Sequence, residues 1–397
     1  MRASGRGWAG GIAAILALAG CFGTDPALLE PLAREPEKAS DERIIWEQAA
    51  HFEQALAASE EVVRDEALQA YLDGVTRSVY ARMNPPRGVE PRVVVVRQPL
   101  INASAAPNGL VLIYSGILAR IENEAELATL LGHELAHFVR RHSLQERRER
   151  TATEKSERLG RALSLGLFGG SEASSRASIE QQVSGFSQRL ELEADRLGFD
   201  AMRDAGYDVR QSVRMFEVVL LDEEAPTVAD PFYYADHPSM ESRAAHYRQL
   251  IAAAEPGAGE IRAEPYAAAT RSLIAQNIED DLALSRVRSA RRGVDRLLAF
   301  PDADGTAYLL LGEWHRLAGQ AGAAGLGEAA RAYERATQLA PESARAWRAL
   351  GLARRDLGEA SEAARALERA IELAPAALDR PILEAYVREA RAGGAKP

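Results

Sequence analysis

His133-Glu134-Leu135-Ala136-His137 and Glu191-Leu192-Glu193-Ala194-Asp195 are the stretches of this 397-residue sequence whose residue types and spacing could do chemistry together. Two His four residues apart differ by about 40° around a helix, so both imidazoles reach one metal ion and Glu134 between them can meet a water there. Zinc held by two His needs a third protein ligand and an open position for that water. His142 is nine residues beyond His133, about 180° around a continuous helix, and so reads as a structural or surface residue facing away from the metal. On the second stretch Glu191 and Asp195 share a face, and small Ala194 allows close approach to the first helix, while Glu193 points elsewhere. Glu191 could be the third ligand, with Asp195 accepting the other N–H of a ligating His. A solvated acidic face is the alternative for Glu191, and the residues alone leave both open.

These residues need helices to hold them, and the sequence supplies a mainly α pattern. Ala, Leu, Glu and Arg dominate and aromatics make up only 6%. The spacing predicts helix over residues 41–83, strands at 92–98 and 109–114 with a turn-rich connection between them, and one long helix over 122–145. Residues 147–180 change from an Arg and Glu helix to a Gly- and Ser-rich stretch, which reads as a lid or mobile loop. Helices are expected at 181–205, capped by Gly206, then at 211–221 and 241–254, with a loop through His237-Pro238. In the last third, Glu334-Arg-Ala-Thr-Gln-Leu-Ala-Pro341 returns as Glu368-Arg-Ala-Ile-Glu-Leu-Ala-Pro375, a shift of 34 residues that is the tetratricopeptide period. An insertion in the preceding unit is placed in the 319–327 turn, and Ala290, Val294 and Leu297 suggest a degenerate earlier repeat. So few repeats bury little core, so they should also pack on the preceding domain.

The formal net charge of −10 argues against nucleic acid as a partner. The single Cys excludes an intrachain disulfide and the Cys-based structural zinc sites. That Cys is Cys21, at the end of a start that carries Arg2, Arg6 and an apolar run over 8–19. The run is too short to span a bilayer and reads as a secretory signal, and Leu18-Ala19-Gly20-Cys21 resembles the bacterial lipobox, where Cys21 would be acylated. Pro26, Pro31 and Pro36 then mark a semi-extended tether. Resemblance to Gram-negative lipoproteins, with Phe22 after the Cys, implies a periplasmic protein anchored in the inner leaflet of the outer membrane.

The two active stretches, the Asn102-Ala103 segment before Gly109, Asn123-Glu124-Ala125-Glu126-Leu127, and His237-Pro238 with Arg243 six residues after the His together resemble the BepA and HtpX family of gluzincin metallopeptidases. The likeness covers about residues 41–255. The repeats, and the absence of the membrane helices of the HtpX branch, favour the periplasmic BepA branch. The resemblance implies a zincin-type α+β domain with a small sheet, followed by an α-helical tetratricopeptide domain. It implies one Zn2+ per chain held by His133, His137 and Glu191, with Glu134 as base and Asp195 behind the ligands. His237 and Arg243 become candidates for the oxyanion, and His237 alternatively for a latency ligand at the open zinc position; His246 reads as structural. Ser104 departs from the family, which usually places an aromatic after Asn-Ala. The expected organisation is signal peptide 1–20, tether 21–40, metallopeptidase domain 41–255, linker and degenerate repeat 256–304, and tetratricopeptide repeats with a capping helix 305–397. The expected function is an envelope zinc endopeptidase acting on unfolded or misassembled polypeptides, with protein partners on the repeats and the membrane reached through the lipid. The competing expectation is a repeat-based adaptor or chaperone with a structural or latent zinc site; an intact Glu134 favours the enzyme.

Overall fold

The computed structural model describes residues 29–37, 40–152, 172–220, 240–255, 257–318 and 323–393, with backbone alone over 172–187. Cys21, the signal and His237 lie outside the described residues, as do 153–171 of the Gly- and Ser-rich stretch. Among the described residues no helix is long and apolar enough to cross a membrane.

Two amphipathic helices, α1 (Asp41–Ala57) and α2 (Glu66–Tyr80), replace the single helical stretch expected over 41–83. Ser40 and Asp65 cap them, each side chain accepting from backbone N–H groups of the first turn. Strand β1 (Arg92–Val96) pairs in parallel with β3 (Leu110–Tyr114), Val94 opposite Leu112. The turn-rich connection between them also contains a third strand that was not expected, β2 (Ala103–Ala105), antiparallel to β3 with Ser104 opposite Leu112. Helix α3 (Ser115–Arg120) follows, then α4 (Glu124–Val139), in which all sixteen residues are buried. A helix closed off on every side is the centre of a core, and here Leu127, Leu131, Leu135 and Phe138 join the sheet and α2 in one cluster.

Helix α4 does not run on to residue 145. Arg141 takes φ 60, a left-handed conformation that a helix cannot include, and residues 142–152 begin a new helix. The Arg141 guanidinium donates to both carboxylate oxygens of Glu42 at 2.8 and 2.6 Å, which offsets the cost of that backbone. Helices α5 (Glu172–Asp204) and α6 (Gln211–Leu220) pack on α4, α7 (Met240–Ala254) packs on both of them, and Gly206 ends α5 at φ 94.

Among the described residues the remaining elements are all helices: α8 (Ala263–Ala283), α9 (Val287–Leu298), α10 (Gly305–Leu317), α11 (Ala323–Leu339), α12 (Ala344–Asp356), α13 (Ala360–Leu373) and α14 (Arg380–Gly393). The insertion placed in a 319–327 turn is partly helix instead, since α11 already includes Ala323 to Gly327. Small residues set the spacing of the pairs: a Cβ on Gly312 would enter the Tyr333 ring, and one on Gly351 would stand 2.6 Å from Leu367. Helix α8 joins this array to the sheet-containing part. Tyr266 donates to the Leu118 carbonyl at 2.6 Å, and buried Asp281 accepts from Arg120 at 3.1 Å.

Candidate metal centre

The start of α4 is fixed by a reciprocal cap. Asn123 accepts from the Glu126 N–H at 3.0 Å, while the Glu126 carboxylate accepts from the Glu122 N–H at 2.6 Å and from the Asn123 amide at 2.9 Å. Burial pushes the Glu126 carboxyl up to about 7. Beside it, Glu124 accepts from Tyr71, Tyr207 and Arg262, three donors from three parts of the chain. Sequence reasoning singled out this segment as a family feature but missed what it does: a buried carboxylate at the helix N-terminus ties the surround to the helix that carries the His pair.

Two turns further on, His133 and His137 turn their Nε2 atoms toward each other, 3.0 Å apart. Glu191 of α5 stands opposite, with its oxygens 3.5 Å from His133 Nε2 and 3.3 Å from His137 Nε2. The three side chains are buried, and their candidate ligand atoms lie within 4.8 Å of one another. Glu134 is buried in the same turn of α4.

The backs of the two imidazoles have separate partners. His133 Nδ1 is 2.9 Å from Asp195 Oδ1, and the same oxygen accepts from Arg243 at 2.7 Å. Burial alone would raise the Asp195 carboxyl, but Arg243 and His133 outweigh it and hold the group low. The His133 imidazole is pushed down by burial and by Arg243, which favours the neutral ring a metal requires. Arg243 itself is buried, stays charged because Asp195 and Glu191 outweigh its desolvation, and lies over the Phe216 ring at 5.0 Å.

His137 is backed by His142, whose Nδ1 lies 2.9 Å from His137 Nδ1. This overturns the expectation that His142 faces away. The left-handed Arg141 reverses the chain, so the nine-residue angle on a continuous helix does not apply, and His142 is fully buried rather than at the surface. Glu193 stays off the cluster of candidate ligand atoms but is partnered: its Oε2 is 3.3 Å from His142 Nε2, and its other oxygen is paired with Arg140.

The close approach of α4 and α5 rests on a glycine pair as well as on buried Ala194. A Cβ on Gly198 would be 2.7 Å from the Gly132 carbonyl carbon and 2.8 Å from the His133 backbone nitrogen. Gly198 is seven residues after Glu191, about 20° around the helix, so contact and carboxylate share one stripe. Sequence reading named only Ala194, because a contact between glycines 66 positions apart leaves no local pattern.

The donor set fits a divalent cation. With Nδ1–H directed at Asp195 and at His142, each Nε2 presents a lone pair, and a carboxylate faces both; three acceptors converging in a buried space repel without a cation between them. Two His and one Glu are a known zinc set.

Residues 64–251 match the sequence profile of Peptidase family M48. The chain is 24% identical over 257 residues to the beta-barrel assembly-enhancing protease of Escherichia coli (strain K12), covering 61% of this chain and 52% of that one. It is 30% identical over 156 residues to the metalloprotease LoiP of the same organism, covering 38% and 60%, and 31% identical over 160 residues to the mitochondrial metalloendopeptidase OMA1 of Arabidopsis thaliana, covering 39% and 30%. The chain spans about half the length of the first of these relatives. Both halves of the centre, the His pair of α4 and the Glu191 of α5, fall inside the matched segment, and residues 64–251 are a Peptidase family M48 domain.

Proposed function

We propose that the chain is a zinc-dependent endopeptidase of the bacterial cell envelope. The observation that carries the reading is the buried convergence of His133, His137 and Glu191 with Glu134 in the same helical turn. Zinc, when bound, supplies a Lewis acid for the scissile carbonyl and for the attacking water. The chain's own residues do the rest. Glu134 accepts the proton of the attacking water and returns it to the leaving amine. Asp195 and Arg243 fix His133 from behind, so Arg243 acts on the ligand set through Asp195. His237 would hold zinc's open position in a resting state, keeping a protease among envelope proteins latent.

A purely structural zinc site has no use for a base beside it, so the buried Glu134 favours enzyme over adaptor. Substrates would be polypeptides, and the relatives named for beta-barrel assembly support unfolded or misassembled outer-membrane proteins as the class. The repeated 34-residue unit and the glycine-spaced helix pairs support tetratricopeptide repeats that take protein partners. The charged, apolar and small-residue start ending in Cys21 supports a lipid anchor. Zinc content of the wild type beside His133→Ala, His137→Ala and Glu191→Ala tests the centre. Near one zinc per chain, lost in each variant, is expected; full occupancy in all three would refute the assignment.

A further inference from the structure

The metal ligand His137 is oriented by a relay that no spacing rule anticipates. A ligating imidazole must present the lone pair of one nitrogen and donate the N–H of the other, and the acceptor of that N–H decides which nitrogen is which. For His133 the acceptor is a carboxylate, Asp195. For His137 it is another imidazole: His142 Nδ1 at 2.9 Å. An imidazole can accept there only if its own proton sits on Nε2, and His142 Nε2 faces the Glu193 carboxylate at 3.3 Å. Arg140 holds the other Glu193 oxygen. The order is therefore Arg140, Glu193, His142, His137, with each group setting the hydrogen position of the next.

We propose that His142 and Glu193 are positioning residues for the metal, which lock His137 as the Nδ1–H tautomer and aim its Nε2 at the centre. The inference rests on the reading of His133, His137 and Glu191 as ligands and adds two residues to it. His142 is fully buried, and the turn that delivers it is fixed by the Arg141–Glu42 pair. Glu193 is the neighbour-but-one of ligand Glu191, on α5, so the relay also ties the chain after α4 to the helix that brings the carboxylate.

The test is zinc affinity, measured by chelator competition on the full chain with zinc alone, together with the visible spectrum of the cobalt-substituted protein. His142→Leu removes acceptor and donor and should weaken zinc binding 10- to 100-fold, the usual effect of losing a partner of a ligating His. His142→Asn keeps an acceptor oxygen near the Nδ1 position and should recover part of that loss. Glu193→Ala leaves His142 in place without its acceptor and should fall between wild type and His142→Leu. A packing role alone would lower the unfolding temperature but leave zinc affinity and the cobalt spectrum of the folded protein as in wild type. If His142→Leu does not fold, His142→Asn and Glu193→Ala decide by the same readouts. Zinc affinity within twofold of wild type in the folded variants, with zinc lost in His137→Ala, overturns the relay and leaves the centre standing. Zinc retained in His137→Ala overturns the centre itself.

Discussion

Gly198→Ala tests how the fold sets the distance between the His pair and its carboxylate. The added methyl would sit 2.7 Å from the Gly132 carbonyl carbon and 2.8 Å from the His133 backbone nitrogen, where ordinary contact begins at 3.4 Å. The obstruction is helical backbone, so no side-chain rotation relieves it and the two helices must part by about 0.7 Å at this point. Overpacking of this kind costs about 1–3 kcal/mol. Because Glu191 lies on the same stripe two turns away, it moves with the contact, and a metal centre tolerates only about 0.2 Å in its ligand distances. Zinc affinity should therefore fall at least about tenfold, and the melting temperature by roughly 2–10 °C. Calorimetry and chelator competition measure the two. Gly74→Ala is the control: it lies in exposed α2 positions with nothing within 4 Å of the new methyl, and it should stabilise by about 0.5–1 kcal/mol without touching zinc. Zinc affinity unchanged in Gly198→Ala would refute the argument that this glycine pair sets the site.

Asp195→Ala leaves Arg243 as a buried, unpaired charge and removes the acceptor behind His133, so it should cost about 3–5 kcal/mol, read by chemical unfolding, and weaken zinc as well. Glu126 titrates near 7 in the folded chain against 4.5 as its ordinary value, so the folded state holds a proton that the unfolded state has released between those values. Stability should fall as pH rises across that window, by up to about 3 kcal/mol, and Glu126→Gln should flatten that slope whatever it does to the absolute stability. His237→Ala should raise cleavage of loosely folded substrates if His237 is a latency ligand; lowered cleavage with unchanged zinc would assign it to the oxyanion instead.

The His and carboxylate cluster was legible in part because its halves are periodic, although the residues alone left Glu191 open between a ligand and a solvated acidic face. His133 with His137, and Glu191 with Asp195, are each four residues apart, and the helical angle brings each pair to one face without knowledge of the fold. The errors began where the chain leaves that periodicity. Arg141 gives no local sign of a left-handed residue, since its conformation depends on Glu42 about a hundred positions away, and His142 was misplaced as a result. Strand β2 is three small residues, Ala-Ser-Ala, with little β preference; its pairing with β3 forms it. The glycine pair and the three donors on Glu124 are likewise contacts between distant segments. In the last third the expected 319–327 turn was drawn too long, because residues 323–327 already belong to helix α11.

On the proposed function, a metal held by His133, His137 and Glu191 works with Glu134 to hydrolyse peptide bonds. The most direct measurement is zinc content and cleavage of an unfolded polypeptide by wild type beside Glu134→Gln, which keeps the side chain's size but cannot take up a proton. About one zinc per chain is expected in both proteins, with hydrolysis lower by orders of magnitude in the variant. Equal hydrolysis by the two proteins, both loaded with zinc, would contradict it.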